Sequence, residues 1–232
     1  MNPVFHFKYF DIRQEVNSHK LGSDSLVLGA WTNIRADRIL DVGTGTGVLA
    51  LMMAQNNPEA HITAIEPIPQ FLAEANTNFH NSPYSDRILS IQTELQSFGA
   101  MEKFDLIITN PPYFNSTFQS PNDLRNSTRH DAGLEPFELF ECCAELLSET
   151  GKLSLIIPFE REEEYLYSAH RENLHPSSIL RTLKPSSGYK RTLIQFGFER
   201  VSPMEEELLI KDAENKYSAE YIELTKEFHG VD

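Results

Sequence analysis

Apolar residues along this chain recur in short runs separated by stretches of helical periodicity. Runs with the length and β-branched content of buried strands fall at Arg38–Val42, His61–Glu66, Ile88–Thr93, Phe104–Thr109, Leu153–Pro158, Ile179–Leu183 and Leu193–Phe198. Between the first five the spacing predicts helices near Val48–Gln55, Pro69–His80 and Pro136–Ser148, and another over Glu160–Glu172. Strands that alternate with helices predict an α/β fold with a parallel sheet covered by helices on both faces. The last two strands differ, because only Lys184-Pro185-Ser186-Ser187-Gly188 separates them and this reads as a turn. They are expected to form a hairpin that ends the sheet antiparallel. Ahead of the first core strand, FHFKYFDIRQ alternates like a strand and Asp24–Thr32 reads as a helix. Residues 1–37 are therefore expected to form a lid, 38–200 the core, and 201–232 a helical C-terminal extension of one single domain.

Two junctions carry chemistry. The first strand runs into Asp41-Val42-Gly43-Thr44-Gly45-Thr46-Gly47 and then a helix. Glycines at such a turn allow positive φ and let a ligand approach the backbone. The dinucleotide fingerprint is G-x-G-x-x-G; here Val48 stands where its third glycine would be. An acid ahead of the turn would repel a pyrophosphate but suits S-adenosylmethionine, which carries an ammonium and a sulfonium. Glu66 ends the second strand, where a carboxylate can accept from ribose hydroxyls. Glu94, after the third strand, is a candidate contact to the cofactor's adenine.

At the end of the fourth strand stands Asn110-Pro111-Pro112-Tyr113. Consecutive prolines stiffen the backbone and aim the Asn side chain and the carbonyls off the strand tip. An aryl amine is a poor nucleophile because its lone pair is delocalised. Acceptors at Asn110 and the Pro111 carbonyl would polarise it, and Tyr113 would stack on the base. This motif therefore points to methyl transfer to a planar amine as the expected reaction. It leaves open adenine, cytosine or guanine in RNA or DNA, and the glutamine side-chain amide.

Composition narrows the partners. Net charge is −14, which argues against a protein that coats nucleic acid. Yet Arg181, Lys184, Lys190, Arg191 and Arg200 cluster with only Glu199 opposing them. Acidic runs such as Glu205–Glu207 read as solvated helix faces. The segment from Phe114 to Gly133 is long for a connection and reads as substrate-binding. In it Arg125 and Arg129 are candidate phosphate contacts, with Lys184, Lys190 and Arg191 as a second patch. His130 and Trp31 read as structural. Adjacent Cys142 and Cys143 lack metal-ligand spacing, so no metal site is expected. No apolar run is long enough to span a membrane and no secretory signal is visible, so a cytoplasmic location is expected. No obligate protein partner is evident.

The chain as a whole resembles the bacterial tRNA adenine-N6 methyltransferases that act on adenine 37 of valine tRNA. The resemblance rests on Phe5-His6-Phe7-Lys8, Lys20-Leu21-Gly22-Ser23-Asp24-Ser25-Leu26-Val27-Leu28-Gly29-Ala30-Trp31, the glycine turn, Glu66, Asn110–Tyr113 and Asn215-Lys216-Tyr217-Ser218-Ala219-Glu220-Tyr221. It implies a Rossmann-like class I methyltransferase sheet, S-adenosylmethionine as cofactor, tRNA as substrate, and a cofactor cover from Lys20, Gly22, Ser23 and Asp24. Two departures are Glu94 where that family has Asp, and Ser23 where Thr is common. A glutamine methyltransferase would carry an extra N-terminal helical domain and a DNA enzyme a target-recognition domain; neither is expected here. A partner module that has lost catalysis is disfavoured by the complete Asn110–Tyr113 motif.

Overall fold

The computed structural model describes residues 4–14, 22–111, 134–185 and 188–229. Strands β1 (Val4–His6) and β2 (Asp11–Arg13) form a small antiparallel hairpin, followed by α1 (Ser23–Trp31). The core then runs β3 (Arg38–Val42), α2 (Val48–Asn56), β4 (His61–Ile65), α3 (Pro69–His80), β5 (Ile88–Ile91) and β6 (Phe104–Thr109). It continues with α4 (Pro136–Leu146), β7 (Leu147–Pro158), α5 (Glu162–Arg171), β8 (His175–Lys184), β9 (Gly188–Gly197), β10 (Met204–Leu209) and α6 (Ala219–Thr225). The eight-stranded sheet has the order β10-β8-β9-β7-β6-β3-β4-β5.

Strand residues alternate between two cores, as a period of two demands. Ile39, Leu106, Ile108 and Ile156 face the layer built from α1, α2, α3 and α6. Leu40, Ile107, Leu153, Leu155 and Ile157 face α4 and α5. Helix α2 is apolar nearly all round because it lies between α1 and the sheet, with Val48 to Ala54 all buried. Gly29 makes that close approach possible: a Cβ there would meet Met52 Sδ at 2.5 Å. Helices α3 and α4 each begin with proline, whose missing N–H would be unpaired there in any case.

Strands β3 to β7 are parallel, and β9 is antiparallel to both β7 and β8, so the expected hairpin is present. It does not end the sheet, because β10 pairs in parallel with the outer side of β8. Because Arg191 pairs with Pro158, the start of β9 and the end of β8 lie at the same sheet edge as the carboxyl ends of the parallel strands.

Two further expectations are corrected. FHFKYFDIRQ is two strands rather than one: Phe7 N–H donates to the Phe10 carbonyl at 2.9 Å and the two rings stack 4.6 Å apart, so the chain reverses without a glycine or proline. Glu205 to Glu207 lie not on a helix but on β10, which pairs parallel with β8 at the sheet edge. The charges suit an edge strand, which they protect from further pairing, and Glu205 also binds Arg181 across the pair at 2.7 Å. The segment after residue 200 thus contributes a strand before α6, whose N-cap Ser218 accepts from the Tyr221 N–H at 3.0 Å. Among the described residues no helix is long and apolar enough to cross a membrane.

Candidate functional site

The strand order reverses between β4-β3 and β3-β6, and ligands of open α/β sheets bind at such a switch point, outside the carboxyl ends. Val42 is in register with Thr109, and the Thr109 hydroxyl donates to the Val42 carbonyl at 2.9 Å. The glycine turn and the Asn110-Pro111 step therefore leave the sheet side by side.

Gly43, Gly45 and Gly47 have φ of +71°, +55° and +84°. These are left-handed values that other residues adopt only with strain. Gly43 is exposed, whereas a Cβ on Gly47 would meet the Phe79 ring at 2.4 Å. The turn is already hydrogen-bonded internally. Gly43 and Thr44 N–H donate to the Ile65 carbonyl at 2.9 and 3.0 Å, Gly45 N–H to Glu66 Oε2 at 3.0 Å, and Gly47 N–H to the Thr44 carbonyl at 2.8 Å. A phosphate cradle needs such N–H groups directed at the ligand; here most serve acceptors of the chain itself.

Two carboxylates sit at this turn. Asp41 is fully buried: its Oδ2 accepts from the Thr44 hydroxyl at 2.6 Å and the Ala50 N–H at 3.1 Å. Its Oδ1 is buried without a hydrogen-bond partner among the described residues. Burial pushes the Asp41 carboxyl up to about 7; the Thr44 and Ala50 bonds oppose that, and the charge of Glu66 adds to it. Asp41 thus braces the turn from beneath instead of standing open at its mouth. Glu66 is also buried, and Oε1 accepts from the Ile68 N–H at 3.1 Å. Burial raises its pKa, against the Ile68 and Gly45 bonds. A carboxylate has about four acceptor positions, so Glu66 keeps capacity for hydroxyl donors after these two bonds. The site is rich in acceptors, suited to a diol and unsuited to a pyrophosphate.

Asn110 is half-buried at the end of β6, and its Nδ2 donates to the Ser25 hydroxyl on α1 at 3.0 Å. Pro111 is buried. Gly22 and Ser23 are exposed at the start of α1, and Asp24 is half-buried. Glu94 is exposed just after β5, on the cofactor side of the switch point. Lys20, Pro112, Tyr113, Arg125, Arg129 and His130 lie outside the described residues. Trp31 is half-buried against the core.

Of the second basic patch, Lys184 is exposed and Lys190 half-buried at the carboxyl edge. Arg191 is committed elsewhere, its Nε donating to Asp24 Oδ2 at 2.6 Å. Arg181 is likewise held by Glu162 and Glu205. Part of the apparent basic cluster is therefore neutralised by acids distant in sequence.

Sequence reasoning missed Asn78. Its Oδ1 accepts from the Arg13 N–H at 2.9 Å, and its Nδ2 donates to the Arg13 carbonyl at 3.0 Å and the Thr46 carbonyl at 2.8 Å. This one buried amide ties the hairpin β1–β2 to the glycine turn. The available signal was its place in α3, three residues after buried Ala75 and next to buried Phe79.

Comparison with known proteins agrees with this arrangement. The family model described as "Methyltransferase small domain" matches residues 18–165. The tRNA1(Val) (adenine(37)-N6)-methyltransferase of Bacteroides thetaiotaomicron is 37% identical over 231 residues, covering 98% of each chain. Its counterparts from Flavobacterium psychrophilum (36% identity, 97% and 99% coverage) and Aliivibrio fischeri (38%, 99% and 98%) are similar to the same extent. Among solved structures, a predicted O-methyltransferase from Agrobacterium tumefaciens superposes with a TM-score of 0.69 at 18% identity, over 90% of this chain and 98% of that one, a likeness of fold. With a glycine turn backed by two buried carboxylates, an adjacent Asn-Pro step and this full-length similarity, the chain belongs to the tRNA1(Val) (adenine(37)-N6)-methyltransferase family of small-domain methyltransferases.

Proposed function

We propose that this chain methylates N6 of adenine 37, beside the anticodon of valine tRNA, using S-adenosylmethionine. The observation that carries the reading is the register of β3 with β6, which sets the glycine turn next to Asn110 and Pro111. The relatives' names supply the substrate.

S-adenosylmethionine supplies a methyl group on a positively charged sulfur. Glu66 would hold its ribose hydroxyls, and Gly43, Gly45 and Gly47 let it lie against the backbone. Asp41, buried beneath the turn and bonded to the Thr44 hydroxyl and the Ala50 N–H, keeps the turn's shape. Gly22, Ser23, Asp24 and Lys20 would cover the cofactor, and Glu94 would border its adenine. On the other side, Asn110 Oδ1 and the Pro111 carbonyl accept the two N–H groups of the target amine. That pair orients the nitrogen lone pair for in-line attack and makes the amine more nucleophilic. Tyr113 would stack on the base, and Pro112 would stiffen the step. When bound, the cofactor would supply an electrophilic methyl group and leave as the neutral thioether, while Asn110 Oδ1 and the Pro111 carbonyl would hold the amine's N–H groups and the proton given up on methylation would pass to solvent. No strong base is required.

An anticodon-loop base is unpaired and can be turned outward at lower cost than a duplex base. Lys184 and Lys190 border the site and would meet phosphate, with Arg125 and Arg129 as further candidates. Beside them, the Phe159 and Tyr189 rings lie 4.7 Å apart and offer a surface for a neighbouring base. Incubation of the protein with labelled S-adenosylmethionine and unmodified total tRNA, followed by nucleoside analysis, should yield N6-methyladenosine. Asn110→Ala should remove that product. Label in another nucleoside, or an undiminished yield from Asn110→Ala, would refute the reading.

A further inference from the structure

The first turn of α1 is fastened at two consecutive residues. Asp24 Oδ2 meets Arg191 Nε on β9 at 2.6 Å, with the two side chains 25% and 31% exposed. Ser25 Oγ accepts from Asn110 Nδ2 at 3.0 Å. Arg191 is itself fixed: its N–H donates to the Thr182 hydroxyl at 3.2 Å and its Nη1 to the Lys190 carbonyl at 3.0 Å. The helix behind is anchored by buried Val27 and Leu28 and by the Thr32–Ser154 hydroxyl pair at 2.7 Å. Among the described residues no side chain caps the helix at Gly22, and these two contacts fasten its first turn.

We propose that Ser25 is a positioning residue for the methyl-accepting site, and that the Asp24–Arg191 pair holds Ser25 in place. The proposal rests on the reading that Asn110 accepts an N–H of the target amine. A primary amide has nearly the same shape after a half-turn, but only its oxygen can accept that N–H. With Nδ2 bound to Ser25, the oxygen is at the opposite end of the amide. The reversed orientation would present an N–H to the amine's N–H, which is repulsive. The arriving amine therefore selects the first orientation, and the Ser25 hydroxyl satisfies the amide nitrogen in it. Alanine at this position would leave that nitrogen without the serine acceptor and the amide plane less restrained. Threonine preserves the acceptor. Arg191, which the charge pattern suggested as a phosphate contact, acts through Asp24 on the geometry of the site.

The test uses the full chain, with kinetics on unmodified tRNA and the nitrogen-15 side-chain amide resonances of Asn110, assigned by their loss in Asn110→Ala. Ser25→Ala should lower kcat about 10- to 100-fold, the range for a misplaced reacting group, while the KM for S-adenosylmethionine stays near that of the parent. Ser25→Thr should restore most of the rate. The Asn110 amide pair should shift in Ser25→Ala and in Arg191→Met and hold its position in Ser25→Thr. Arg191→Lys, which keeps the charge without the planar donor, should fall between Arg191→Met and the parent and serves if Arg191→Met does not fold. A parental kcat with an unmoved Asn110 resonance in Ser25→Ala would overturn the positioning role. An unmoved resonance in both Arg191 variants would overturn the clamp. A parental kcat in Asn110→Ala would instead refute the proposed function, and the resonances would still decide whether Ser25 orients the amide.

Discussion

Gly43 and Gly47 lie in one turn with nearly equal φ, +71° and +84°, yet alanine should be tolerated very differently at each. A left-handed non-glycine residue costs about 1–2 kcal/mol. Alanine recovers part of this, about 0.4–1 kcal/mol, by reducing the freedom of the unfolded chain. At Gly43 a Cβ meets nothing within 4 Å, so Gly43→Ala should cost about 0.5–1.5 kcal/mol in total. At Gly47 the same Cβ would stand 2.4 Å from Phe79 Cε1 and 2.8 Å from Cζ. Phe79 is 4% exposed in the core, so the ring or the turn must move roughly an ångström within close-packed surroundings, costing a further ~1–3 kcal/mol. Gly47→Ala should therefore lose about 2–4 kcal/mol. Urea denaturation followed by circular dichroism measures both variants on one scale. Phe79→Leu withdraws the offending ring atoms, so Gly47→Ala combined with Phe79→Leu should be less destabilised than the sum of the two single changes. Equal losses at Gly43 and Gly47, or strict additivity in the double variant, would refute the steric half of the argument.

Asn78→Leu removes the amide's three hydrogen bonds, of which only the one to the Thr46 carbonyl is buried, so it should cost about 1–3 kcal/mol in denaturation experiments and weaken cofactor binding. Asn78→Asp, which keeps only the acceptor, should fall between. Asp41 titrates near 7 when folded, against an ordinary 3.8, because burial disfavours its charge. The folded chain thus retains a proton that the unfolded chain has released. Asp41's contribution is favourable below pH 4 and is lost as pH rises to 7, at about 1.4 kcal/mol per pH unit. Asp41→Asn should flatten the stability profile over that window; parallel profiles for variant and parent would contradict it. Lys184→Glu combined with Lys190→Glu should raise the KM for tRNA and reduce its salt dependence, with cofactor affinity unchanged by calorimetry; an unchanged salt slope would count against this edge as an RNA contact.

The core was legible because β3, β4, β6 and the second half of β7 are largely buried on both faces and so read as mainly apolar runs, while α3 carries its apolar face at helical spacing. The glycine turn and Asn110 were legible because positive φ and a rigid strand exit each restrict which residues can stand there. Strand β10 was not: three consecutive glutamates resemble a solvated helix, and only pairing with β8 and the Arg181 contact make them an edge strand. Asp41 was placed at the correct turn, but its burial depends on Thr44 and Ala50 closing over it. Arg191 looked like part of a free basic patch because its partner lies 167 residues away in the sequence. Asn78 and Ser25 were passed over for a related reason. Each sits within a helix, and its role exists only through backbone or side chains that the fold brings to it.

The most direct test of the central claim is position-resolved mass spectrometry of nuclease fragments from valine tRNA, taken from a strain lacking this enzyme and treated with the protein and S-adenosylmethionine. One added methyl on adenine 37, present with the parent protein and absent with Asn110→Ala, is the predicted result. A methyl at another tRNA position, or an unmodified tRNA alongside labelled ribosomal RNA or protein, would contradict it.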